Sequence, residues 1–114
     1  MTTEATVNPT ERDPALAEIL RRLVEVYQPE RVYLFGSRAR EKPTSDSDYD
    51  LLVVVSDDAP AERHRSRLGY EALRGTGVAA DVLVWSREDF EARLPLRASL
   101  PARVYSEGKL LYAA

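Results

Sequence analysis

The chain has 114 residues, 44% of them hydrophobic and 31% charged, which fits one globular domain with a real core and little room for a second lobe. It carries no cysteine and a net charge of −3, which excludes a disulfide framework and thiolate metal ligands and argues against a strong non-specific grip on nucleic acid. No apolar leader and no bilayer-length apolar run is visible, so a cytoplasmic protein with no membrane contact is expected.

Residues 1–12 are polar and aperiodic, which predicts a flexible tail before a folded domain over 13–114. Asp13-Pro14 reads as an N-cap with proline at the first helical position. Leu16, Ile19, Leu20, Leu23, Val24 and Tyr27 follow at helical spacing, and Pro29 stops the helix. Residues 31–35 (RVYLF) form a short strand ending at Gly36. Residues 37–41 can make a helical turn, and 42–47 (KPTSDS) are rich in breakers. Residues 49–55 make a second strand, apolar on both faces and therefore central.

Residues 60–74 read as a second helix, with Gly75 placed to end it. A third strand spans 78–85 (VAADVLVW), interrupted by Asp81. Ser86 caps a short helix, with Asp89 where a capping box takes Glu or Gln. Residues 101–107 look helical and close at Gly108, leaving 110–112 as an edge strand. The order predicts an α/β domain with a small mixed sheet flanked by helices.

The chemistry concentrates on acids. Asp48 and Asp50 bracket the start of an apolar strand, and strand alternation puts both on one face with Cα atoms about 7 Å apart. Burying two like charges is costly unless a cation sits on them. Asp81 also opens an apolar strand, so if the two strands are neighbours three carboxylates meet at one sheet margin. Such a group suits Mg²⁺, which prefers oxygen ligands and is usually held by one or two carboxylates plus substrate phosphates. Taken singly, each acid reads as a strand or turn cap. Gly36-Ser37 joins a strand to a helical turn, where glycine lets a ligand approach the backbone and the serine hydroxyl adds a donor. Tyr49 points to the opposite face and is expected to pack. His64 among arginines reads as a solvated helix face, and Trp85 as core or rim.

Gly36-Ser37, ten residues, then Asp48-Tyr49-Asp50 resembles the signature of the DNA polymerase beta-like nucleotidyltransferase superfamily. The longer string LFGSRAREKPTSDSDYDLLVVV is similar to its minimal nucleotidyltransferase branch, often paired with a HEPN-domain toxin. The resemblance runs over about residues 15–112. It implies that Asp48 and Asp50 hold the metals (two Mg²⁺ ions), that Asp81 is the third carboxylate, and that Gly36 and Ser37 hold the triphosphate of ATP. It also implies transfer of AMP to a tyrosine of the HEPN partner, an antitoxin activity. Glu41 departs from the branch, where a glycine often follows the second arginine. Arg38 and Arg40 lie near enough to reach phosphate oxygens, and equally near Glu41 and Asp46. Two other functions compete: a non-catalytic antitoxin acting by occlusion, and nucleotidyl transfer to a small molecule.

Overall fold

The computed structural model describes residues 9–39 and 48–114. After a 3₁₀ turn at Pro9–Glu11, helix α1 (Pro14–Tyr27) leads into strand β1 (Arg31–Phe35) and a 3₁₀ turn at Gly36–Ala39. Strand β2 (Tyr49–Val55), a 3₁₀ turn at Ala61–His64, helix α2 (Ser66–Ala72) and strand β3 (Ala80–Ser86) follow. Helices α3 (Arg87–Arg93) and α4 (Leu100–Glu107) and strand β4 (Lys109–Ala113) complete the chain. The sheet order is β3-β2-β1-β4. β1 runs antiparallel to β2 and β4, and β2 runs parallel to β3. The mixed α/β architecture, the central β2 and the edge position of β4 are all as expected.

Each face of the sheet carries its own core, because alternate residues along each strand face opposite ways. Val32, Leu34, Leu51, Val53, Val55 and Val82 pack with Leu16, Ile19, Leu23 and Tyr27 of α1 and with Leu73 just beyond α2. On the other face Tyr33, Leu52 and Val54 pack with Phe90 of α3 and Val104 of α4. Asp13 caps α1 as predicted, its Oδ1 accepting the Leu16 N–H at 3.1 Å. The helix ends through Gln28, whose φ of 48° is left-handed, one residue before Pro29. Ser86 caps α3 by accepting the Asp89 N–H at 3.2 Å. The last helix begins one residue earlier than expected because Ser99 is its N-cap and accepts the Ala102 N–H.

One expected element is broken in two. Residues 60–74 do not form a continuous helix, since Arg65 is extended (φ −113°, ψ 140°) between the 3₁₀ turn and α2. The start of α2 is anchored on α1. The buried Tyr27 hydroxyl donates to the Arg65 carbonyl at 2.7 Å and accepts the Gly69 N–H at 2.8 Å. Both groups belong to the first turn of α2, whose N-cap is Arg65. Gly69 lets α2 come this close, because a Cβ there would lie 2.9 Å from both the Tyr27 hydroxyl and Val82 Cγ1. The far end of α2 is held by Arg22, whose Nη1 donates to the Ala72 carbonyl at 3.0 Å. Burial pushes the Tyr27 phenol up to about 12, so it stays a donor at any working pH. Tyr27→Phe strips a partner from both backbone groups and is expected to cost about 1–3 kcal/mol. The check is a lower denaturant midpoint at unchanged m-value; a wild-type midpoint would show that the bridge contributes nothing.

Candidate active site

The site grows from three adjacent strand ends. β1 stops at Phe35, and Gly36 turns the chain with a φ of +75°, a left-handed conformation that side chains disfavour. Gly36 also lies against the next strand: a Cβ built on it would overlap Asp50 Oδ2 and stand 3.1 Å from Asp50 Cγ. Gly36 and the Asp50 side chain are therefore in contact. Ser37 takes its place in the turn by its backbone, its side chain lying outside the described residues, as do Arg40 and Glu41.

Asp48 stands immediately before β2 and is exposed, whereas Asp50, its second residue, is half-buried. Asp50 pairs with Phe35 in the antiparallel β1–β2 ladder and with Asp81 in the parallel β2–β3 ladder. Neighbouring strands lie about 4.8 Å apart, so Asp81 is beside Asp50, on the same face. The condition set by the sequence, that the two strands be neighbours, is met. Asp81 is exposed, on an edge strand.

Burial, and behind it the charges of Asp81 and then Asp48, push the Asp50 carboxyl above its ordinary range. Among the described residues none of the three acids is ion-paired with an arginine or lysine. Nor do three or more His, Cys, Asp or Glu side chains among them already form a metal-holding group. Magnesium rarely uses an all-protein cage and shares its ligands with substrate phosphates. The chemistry of this donor set, carboxylate oxygens on neighbouring strand ends without a basic partner among the described residues, would suit an ion that arrives with a nucleotide.

Three supporting contacts escaped the sequence. Tyr49 faces away from the acids and is buried, as expected, but its hydroxyl donates to Asp13 Oδ2 at 2.6 Å. Burial, then this hydrogen bond, raises the Tyr49 phenol to about 12. Arg38 lies over the Tyr49 ring, 4.3 Å from its centroid, an arrangement neither of its expected roles included. Tyr70 of α2 places its hydroxyl 3.5 Å from Asp81 Oδ1 while accepting the Val82 N–H at 3.3 Å. No local pattern signals these pairs, since they join residues from different elements. His64 is not on a fully solvated face: its Nε2 lies 3.0 Å from the Ala59 carbonyl. Trp85 is at the rim, with the Arg93 guanidinium 5.1 Å over its ring.

Comparison with known proteins adds a family and a fold. The family model described as nucleotidyltransferase domain matches residues 15–109. The chain is similar to a crystal structure described as a putative nucleotidyltransferase from Sulfolobus solfataricus. Identity is 23%, with 87% of this chain and 86% of that one covered and a TM-score of 0.51. It is also similar to a mutant of the toxin-antitoxin MntA-HpeT, at 17% identity, covering 89% of this chain and 73% of that one, with a TM-score of 0.52. At these identities the likeness extends to the fold. No curated protein matches. No helix among the described residues is long and apolar enough to cross a membrane.

Proposed function

The chain belongs to the nucleotidyltransferase domain family and is a nucleotidyltransferase, and from that premise we propose that it transfers AMP from ATP to a tyrosine of a HEPN-type toxin, acting as its antitoxin. The observation that carries the reading is the Asp50–Asp81 pairing, with Asp48 just before the start of β2 and the Gly36 backbone against Asp50. Asp48, Asp50 and Asp81 would hold two Mg²⁺ ions, which when bound neutralise phosphate charge and polarise the reacting oxygens.

The rest of the mechanism belongs to the chain's own residues. Phosphoryl chemistry of this kind needs positioning and charge balance more than covalent help. The Gly36–Ala39 turn would receive the triphosphate, with the Ser37 hydroxyl as a further donor, because it lies directly beside the Asp50 carboxylate. The acceptor hydroxyl attacks the α-phosphorus, the bond to the β-phosphate oxygen breaks and pyrophosphate leaves. Asp81, the outermost carboxylate, would take the acceptor's proton. Its exposure supports an acceptor arriving from solvent, and Leu83 on the same face of β3 is still 37% exposed. A partner protein would cover that face and bring the hydroxyl with it. The structural neighbour described as a toxin-antitoxin supports a toxin as that partner.

The test incubates the chain with Mg²⁺, ATP and the protein encoded beside it, then weighs that protein. A gain of one or more AMP groups on a tyrosine is expected. A toxin that is neutralised at unchanged mass would show occlusion instead of catalysis.

A further inference from the structure

We propose that the cleft between Gly36 and α4 receives the base and ribose of the nucleotide, with Arg103 and Glu107 as its polar contacts. This rests on the nucleotidyl-transfer reading and adds the side of the site on which the nucleoside lies. The cleft measures about 470 Å³ and is lined by Phe35, Gly36, Leu100, Arg103, Val104 and Glu107, ending at Gly108. That size suits a small-molecule site, and so does an apolar lining with a few convergent polar groups.

Its position is what connects it to the chemistry. Gly36 lines the cleft and also touches the Asp50 carboxylate. Phe35, the aromatic wall, is the register partner of Asp50 and so shares its face. A nucleotide with its α-phosphate over Asp50 therefore needs to cross only one strand to lay its base against Phe35, Leu100 and Val104. Cavities of similar size around Ala61–Glu71, Asp57–Asp89 and Leu94–Ser106 share no lining residue with the acids or the Gly-Ser turn.

The charges in the cleft are also left available. Arg103 and Glu107 stand four residues apart on α4, on one face. The equivalent pairs Glu18–Arg22 and Arg67–Glu71 close at 2.7 and 3.2 Å. Among the described residues no such bridge forms between Arg103 and Glu107. One side chain offers only donors and the other, ionised, only acceptors. A base with ring nitrogens and an exocyclic amine, beside a ribose with hydroxyls, can use both. The acceptor then approaches from the opposite side, across Asp81 and the open face of β3.

The test measures binding of Mg²⁺–ATP and of Mg²⁺–tripolyphosphate to the full chain by calorimetry, for wild type, Leu100→Trp, Arg103→Ala and Glu107→Ala. Leu100→Trp fills the cleft and is expected to weaken ATP about tenfold or more, and each truncation several-fold, while tripolyphosphate binds as to wild type. Arg103 and Glu107 are exposed, so their variants decide the matter if Leu100→Trp melts early. Unchanged ATP affinity in the variants, or equal losses for ATP and tripolyphosphate, would overturn the cleft assignment alone. A wild type that binds neither ligand would overturn the nucleotidyl-transfer reading beneath it.

Discussion

Asp50→Asn is expected to lower kcat by at least about a hundredfold, the scale on which one preorganised electrostatic contact is lost, while the metal-free protein melts no lower than wild type. Asn keeps the size of the side chain and removes a charge that burial, Asp81 and Asp48 all disfavour. The sign of its pH dependence follows from linkage. The folded carboxyl titrates above its ordinary 3.8, so the folded chain holds that proton more tightly than the unfolded one. The stability this provides is complete below the ordinary value and is lost as pH rises through the folded one. The melting advantage of Asp50→Asn over wild type is therefore absent in acid and opens as pH climbs above about 4. Mg²⁺ with ATP is expected to raise the wild-type melting temperature by mass action and that of the variant far less. If the metal-free variant melts well below wild type, Asp50 holds the fold and not a cation. Equal ligand-induced shifts in the two proteins would also remove the metal assignment.

Gly36→Ala carries the second large effect, and it acts twice. A φ of +75° costs an L-residue about 1–2 kcal/mol, and the added methyl enters the space of the Asp50 carboxylate. The variant is expected to lose about 2–5 kcal/mol of stability, by strain and overpacking together. At saturating ATP it is also expected to turn over far more slowly than that loss explains, since Asp50 must swing away. Placing Gly36→Ala in an Asp50→Ala background separates the two causes, because only the backbone strain remains there. Stability costs that simply add in the double variant would show that the methyl and the carboxylate do not collide. Wild-type turnover in Gly36→Ala would remove the turn from the site.

The acids stood out because strand alternation is a strong local rule that puts residues two apart on one face; the ladders place Asp50 by that rule, whereas Asp48 lies just before β2. The central place of β2 followed from its two apolar faces, and the helix starts at Asp13 and Ser86 from their capping side chains. Asp81 was legible only conditionally, since no local feature says that β3 lies parallel to β2 rather than at the far edge. The split of 60–74 was hidden because the contact that anchors the start of α2 comes from Tyr27, 42 residues before Gly69. Propensity favours a continuous helix there, and tertiary contacts routinely override propensity. Ser99 could have been read from its place before Leu100-Pro101, where a serine precedes a proline-containing first turn. The cleft beside Gly36 had no sequence signature at all, being made by α4 folding back over the end of β1.

Asp13 divides its carboxylate between two tasks, one oxygen on the first turn of α1 and the other on the Tyr49 hydroxyl 36 residues later. Tyr49 is the residue between Asp48 and Asp50, so clamping its ring fixes the roll of the strand about its own axis. The first helix thereby serves as a jig for the acids on the far side of the sheet. A disturbance at its first turn would reach the reacting phosphate through backbone orientation alone, without touching a single residue of the site.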